Sequence, residues 1–537
     1  MRWLEFLENQ SVPKILSGIF IGALLLFLPN LGAVHLFDWD EINFAECARE
    51  MLISKDYLTV QIDFKPFWEK PPFFIWLQVL SMHCFGVNEF AARFPNALCG
   101  GFTLCLLFWV GNKFNGKRFG LIWAMSYAGS LLPHFYFHSG IIDPWFNFFI
   151  FSCLLGLYFY VFESQHNGHL LLSALAGGLA ILTKGPTALI IILGTSFFIS
   201  LFFFRHILRF WKSLTLWVFL VLVVGGIWFI WLYFDGKEKV IIDFIAYQKR
   251  LFQLGEAGHG QPWFYHPVVL LVGCFPLSIP FIAQHAILWK DRTILSKDPQ
   301  VVLMLFFFWI PLILFSIVTT KIVHYSSLCY FSISYFSVRY LLFNNNDKRR
   351  VLAINLGLGL IWALALLLAP IAGMFIQSHY TEIASSNWIK DPFALENLKA
   401  EIVWTATDFI PGLFLLFALL ISLFFLNKSK ILPSFLFSLV GVACMLPLVL
   451  ATFISKIEGI TQGSVIGYYQ NLKGQSIEIN TVNYRSYAPF FYAEKSMKPK
   501  QDTLFMAKSP SKNQLISAHP RWILIWEKNG FVAFKPN

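Results

Sequence analysis

Long apolar runs recur along most of the chain, and they decide what it can fold into. They fall near residues 15–33, 71–86, 91–110, 119–137, 141–162, 169–183, 185–204, 213–234, 264–289, 300–318, 323–343, 351–376, 409–426 and 432–455. Runs of this length match helices that cross a hydrocarbon core about 30 Å thick. In lipid every backbone amide needs a partner, which a helix supplies from within its own segment. Charged residues are only 13% of 537, about half the share in an ordinary soluble chain. The fold class is therefore a polytopic α-helical membrane protein.

Charge sets the topology. The basic short loops are Lys113–Arg118, Arg205–Lys212, Lys290–Arg292 with Lys297, Lys348–Arg350 and Lys428–Lys430. Placed in the cytoplasm with the N-terminus, as the positive-inside rule requires, they alternate correctly with the other loops from residue 91 onward. Parity fails only if 71–86 also spans. That run is short, opens with Pro71-Pro72 and holds Gln78 and His83, so it reads as a juxtamembrane or re-entrant helix. Thirteen spans remain. The net charge of +11 serves this topology and does not point to nucleic acid.

Lys14 precedes a long apolar run without a small-residue cleavage site, so an uncleaved first span is expected. The eight cysteines form no CxxC pair, which indicates neither a disulfide framework nor a zinc ribbon. After about residue 456 the character changes. Short alternating runs such as Ser476–Asn480 and Trp522–Trp526 suggest strands, and Tyr487–Lys495 a helix. Residues 1–455 thus form the transmembrane domain, with a first outer loop at 34–90, and residues 456–537 a small soluble α/β domain.

The first outer loop carries the chemistry. Asp38, Asp40, Glu41, Glu46, Glu50, Asp56, Asp63, Glu69 and Lys70 gather there in a chain otherwise poor in charge. Carboxylates beside a membrane are costly unless solvated, paired or bound. Asp40 and Glu41 are candidates to position or deprotonate a reacting group. Asp38 or Asp40 alternatively caps a helix over about 41–53. Lys70, fixed between Glu69 and two prolines, suits a lipid phosphate at the surface. Asp143 opens a span as a second candidate acid, or as a helix-start signal before Pro144. Lys184, Arg93, Lys321, His324 and Tyr325 stand at outer boundaries as phosphate or sugar contacts, with turn or anchor roles as the plain alternative. Glu69 with His259 is the candidate metal pair.

No P-loop, GxGxxG, HExxH or GxSxG is present, so nucleotide-driven transport, metalloproteolysis and serine hydrolysis lose support. A lipid-linked substrate fits better, since it carries its own energy in a phosphate–sugar bond.

At this point the motifs resemble a known family. Asp40-Glu41-x-x-Phe-Ala-Glu46, Ala48-Arg-Glu-Met51, Phe67-Trp-Glu-Lys-Pro-Pro72, Ala92-Arg-Phe-Pro-Asn-Ala97, Thr183-Lys-Gly-Pro186 and Lys321-x-x-His-Tyr325 look like the aminoarabinose (4-amino-4-deoxy-L-arabinose) lipid A transferases. Those belong to the GT-C superfamily, with the protein O-mannosyltransferases. The resemblance implies a GT-C fold with about 13 transmembrane helices and a C-terminal periplasmic α/β domain. It implies sugar transfer, without a nucleotide, from a polyprenyl-phosphate donor to lipid A or another envelope acceptor, on the periplasmic face of a bacterial inner membrane. By that analogy Asp40 is the principal catalytic carboxylate, Asp143 a second one and Lys70 the ligand of the donor phosphate. Glu69 and His259 would hold a divalent metal cation. At Asn43 the chain departs from the arginine usual in the family. The rival expectations are protein O-mannosylation and a transporter without chemistry. A transporter would place charges mid-span and show inverted repeats, and neither is seen.

Overall fold

A computed structural model describes residues 2–253, 260–344, 347–497 and 502–537. Among the described residues, helices occupy each of the thirteen expected spans. Seven stretches are long and apolar enough to cross a membrane on length and composition alone. One of them, Thr187–Phe234, has 48 residues, about twice what one crossing needs. It breaks at Phe203 and at the 3-10 turn Leu208–Phe210 into two helices. Tyr265–Gly273 and Ser278–Lys290 meet at 118° and make a bent pair. The remaining spans, Val12–Phe27, Lys117–Phe135, Asn167–Lys184 and Cys329–Phe343, are short or carry polar residues. Ser332, Ser334 and Ser337 on the last of these are buried and bonded to backbone or Trp123, so this helix faces protein.

The chain is a multi-pass membrane protein, and burial sorts its helices. Asp143–Ser164 is 72% buried, whereas Lys348–Ser378 is only 22% buried. The latter exposes Ile361, Leu364 and Leu368, which suits a lipid-facing surface.

Phe73–Phe85 has 13 residues, or about 20 Å of helix, too short to cross. It rests on Asp40–Ser54 and on Glu89–Asn115. The first outer loop thus folds as helix, hairpin, helix. Its hairpin pairs β1 (Gln61–Ile62) with β2 (Lys65–Pro66). The turn residues Asp63 and Phe64 both have positive φ, 62° and 53°, without a glycine to ease it. Glu50 compensates: its two carboxyl oxygens accept from the Asp63 and Phe64 amides at 2.7 Å each. One turn back, Glu46 accepts twice from Arg49, at 2.7 and 2.6 Å.

Arg49 thus neutralises Glu46, and Glu50 stands buried beside that pair. Burial, and next the neighbouring Glu46, push the Glu50 carboxyl up to about 8. The folded protein therefore holds a proton that the unfolded chain releases near the ordinary carboxylate pKa of about 4.3. Stability falls as pH rises through the interval between them. Glu50→Gln is expected to flatten the loss of thermal stability between pH 5 and pH 8 in detergent. An unchanged slope would contradict the assignment.

The helix of the last span continues through short π turns to Asn471. A four-stranded sheet follows in the order β3-β4-β6-β5, with β3 Ile477–Val482, β4 Asp502–Lys508, β5 Trp522–Lys528 and β6 Phe531–Pro536. β3 and β4 run parallel and the others antiparallel. The helix expected over Tyr487–Lys495 is the shorter Ala488–Tyr492. Lys495 contacts Asp63 and Arg49 donates to the Lys495 carbonyl, so the tail is fastened to the first outer loop.

Candidate active site

Asp40 is the first residue of the helix Asp40–Ser54, whose N-cap is Trp39, and no side chain caps it. The capping reading of Asp38 and Asp40 is thereby overturned. Asn43 holds Trp39 instead: with its amide oriented by the hydrogen-bond pattern, it donates to the Trp39 carbonyl at 2.9 Å and accepts from the indole Nε1 at 3.0 Å. The residue where arginine was expected is a buried clamp, not a phosphate ligand.

Glu41 and Arg93 are corrected together. Arg93 spends all five N–H donors: on both Glu41 oxygens at 3.0 and 2.8 Å, and on the carbonyls of Leu31, Val34 and His35. Glu41 also accepts from the Phe37 and Gly140 amides. Burial opposes its charge, but Arg93 and these amides hold its carboxyl below the usual range. The pair is buried and saturated, so Glu41 has no lone pair to spare for catalysis and Arg93 no donor for substrate. Lys321 is likewise misplaced by sequence reasoning. It is buried, donates to the Val318 carbonyl at 2.8 Å and is not among the cavity's lining residues.

Glu41 and the others converge. A cavity of about 1470 Å³ is lined by Asp40, Glu41, Glu69, Lys70, Asp143, Lys184, His324 and Tyr325. Three come from helix ends. Asp143 begins the helix Asp143–Tyr158 without capping it. Lys184 ends Asn167–Lys184 because Gly185 follows at φ 77°. A side chain at Gly185 would also strike Phe244 at 2.6 Å. Lys184 Nζ lies 2.5 Å from Asp143 Oδ1 and 4.7 Å above the Tyr325 ring. His324 Nε2 stands 3.5 Å from Asp40 Oδ2 and 3.7 Å from Asp143 Oδ2. Asp40, His324, Asp143 and Lys184 therefore form one continuous row of polar side chains. Asp143 is 4% exposed and Asp40 30%, so Asp40 is the acid that opens to the cavity.

Lys70 is held down in pKa by burial, against the opposing pull of Glu69 and Asp40, and lies 5.4 Å from the Tyr247 ring. Tyr247 donates to Glu69 Oε2 at 3.2 Å, and burial pushes the Glu69 carboxyl up. A smaller void of about 40 Å³ shares Lys70, Lys184 and Tyr325 and is walled by Leu314, Phe315 and Val318. The two lysines thus line both spaces.

His259 lies outside the described residues. Among those described, no three His, Cys, Asp or Glu side chains come together as metal ligands. Of the expected metal pair, Glu69 is the described member and supplies a single carboxylate.

Sequence reasoning missed part of the cavity's lining. Trp39, Tyr247, Arg250, Arg485, Tyr487 and Lys508 belong to it. Two of these belong to the tail unit's loop after β3 and one to the end of β4. The only sequence signal was local: Tyr484-Arg-Ser-Tyr487 sets a cation between aromatics.

Comparison with known proteins agrees with the geometry. A family described as dolichyl-phosphate-mannose-protein mannosyltransferase matches residues 69–231. An uncharacterized protein of Aquifex aeolicus is 28% identical over 78% of this chain and 75% of its own. An undecaprenyl phosphate-alpha-4-amino-4-deoxy-L-arabinose arabinosyl transferase of Edwardsiella ictaluri is 27% identical over 66% of each chain. A second such transferase, of Pseudomonas fluorescens, is 25% identical over 60% of this chain, and the match spans 58% of that protein's length. The crystal structure of ArnT from Cupriavidus metallidurans bound to undecaprenyl phosphate superposes with a TM-score of 0.75 over 96% of this chain and 97% of that one, at 17% identity.

Fold and site together define an integral-membrane protein that shares its fold with that crystal structure. In sequence the chain is similar to the two arabinosyl transferases.

Proposed function

We propose that this cavity transfers a sugar from a polyprenyl-phosphate donor to lipid A or another envelope acceptor, on the periplasmic face of a bacterial inner membrane. The observation that carries the proposal is the row Asp40–His324–Asp143–Lys184 on a chamber that Lys70 also lines. At about 1470 Å³ the chamber exceeds the roughly 300–1,000 Å³ of a single small-ligand pocket. It has room for a donor headgroup and an acceptor together.

Lys70 binds the donor phosphate. When the sugar's anomeric C–O bond breaks, the electron pair leaves on the phosphate, and the ammonium offsets the charge. Lys184 is already neutralised by Asp143, so its part is to hold that acid and to approach the phosphate edge with its remaining N–H groups. A hydroxyl acceptor gives its proton to Asp40, the exposed acid. A phosphate acceptor is already ionised and needs only alignment. His324, between both acids, keeps Asp40 turned toward the reacting centre. A divalent cation stands outside this proposal, because Glu69 is a lone described ligand.

Lys70→Ala is expected to raise the KM for undecaprenyl-phosphate-linked sugar roughly tenfold or more, with little change in the KM for acceptor. Because burial lowers the pKa of Lys70, wild-type donor affinity should weaken with rising pH earlier than an ordinary lysine would dictate. Steady-state kinetics of the reconstituted protein across pH 7 to 10 checks both. Wild-type donor KM in the variant would sink the assignment.

A further inference from the structure

The tail unit brings two cations to the cavity that the transfer chemistry above does not use. Arg485 follows β3 and Lys508 ends β4, and both line the chamber. β3 and β4 are the sheet's parallel pair, and ligands of open α/β sheets collect at the carboxyl ends of such strands. Both residues stand there.

Their surroundings hold them in place without cancelling their charge. The Arg485 guanidinium lies 5.3 Å from the Trp39 ring and 5.2 Å from the Tyr487 ring. The Lys508 ammonium lies 4.2 Å from the Phe393 ring and 5.9 Å from the Tyr484 ring. Aromatic faces attract a cation but leave its net charge intact. Other lysines of this unit are paired: Lys473 with Glu494, Lys495 with Asp63, Lys512 with Glu527 and Lys535 with Asp502. Among the described residues, Arg485 and Lys508 have no carboxylate within 4.0 Å. Two oriented cations that line one chamber without an ion pair of their own, and that act on Glu69 and Asp38 only at longer range, are suited to an anion.

We propose that Arg485 and Lys508 form an anion subsite where the tail unit lines the cavity, binding a phosphate group carried by the acceptor glycolipid. The donor phosphate belongs to Lys70, so the two anions of the reaction are held by different parts of the chain. The subsite rests on the transferase reading above.

The test measures binding to the purified full-length protein in nanodiscs, using bisphosphorylated lipid A, phosphatase-treated lipid A and undecaprenyl phosphate as separate probes. Wild type should prefer the phosphorylated lipid A. The double variant Arg485→Ala/Lys508→Ala should bind it at least tenfold more weakly yet keep wild-type affinity for undecaprenyl phosphate, which also certifies its fold. The variant Arg485→Lys/Lys508→Arg should recover most of the loss. Equal affinity for both forms of lipid A in wild type, or undiminished affinity in the double alanine variant, overturns the subsite. So does full competition by phosphatidylglycerol vesicles, which would make it a general contact with membrane headgroups. Failure of wild type to bind undecaprenyl phosphate instead overturns the transferase reading itself.

Discussion

Asp40→Asn protein, purified and inserted like wild type, is expected to lose sugar transfer by about 10²- to 10⁴-fold, the usual contribution of a positioned acid–base group. The asparagine keeps the shape of the side chain, and Asp40 caps nothing, so the helix should form unchanged. Donor binding, assigned to Lys70, should survive. The loss belongs in kcat and not in donor KM, and single-turnover kinetics with labelled donor separates the two. If the acceptor is a phosphate, the loss should lie at the low end, because no proton then has to be removed. Transfer at the wild-type rate would remove Asp40 from the chemistry.

The second large effect is structural. Arg93→Ala should destabilise the protein by about 3–5 kcal/mol, as expected when one partner of a buried ion pair is deleted. It strands Glu41 and three carbonyls at once. These contacts join the loop 31–37 to the helices Asp40–Ser54 and Glu89–Asn115, so the first outer loop should detach before the membrane bundle melts. Arg93→Ala is expected to show low yield and a depressed thermal transition. The paired change Glu41→Leu/Arg93→Met should recover much of that loss, since it leaves no buried charge unpartnered. A single alanine variant as stable as wild type would mean that the pair is dispensable, and Arg93 would return to the list of substrate contacts.

The contrast between Asp40 and Glu41 shows what the sequence could and could not say. Both sit in one motif, and nothing local separates them. Their roles diverge because Arg93, 52 positions away, reaches one and not the other. Lys321 was misread for a similar reason: its nearest partner is a carbonyl three residues back, a local geometry that composition does not reveal. The helices on the thirteen expected runs were legible because membrane crossing is written in length and charge parity, and seven stretches are long and apolar enough to cross by length and composition alone. The same bookkeeping removed 71–86 from the count, and the structure finds 13 helical residues there. The tail unit's share of the cavity's lining was not legible. Arg485 and Lys508 reach it only because the tail sheet folds back onto a loop more than 400 residues earlier, through contacts such as Arg49 with Lys495.

The account meets its most direct test in proteoliposomes holding only the wild-type protein, undecaprenyl-phosphate-linked aminoarabinose and lipid A, with products read by mass spectrometry. Lipid A gaining the mass of one aminoarabinose residue, with matching release of undecaprenyl phosphate and no nucleotide added, is the predicted result. Undecaprenyl-phosphate-linked sugar that stays intact with every lipid A and envelope glycan acceptor supplied would contradict it.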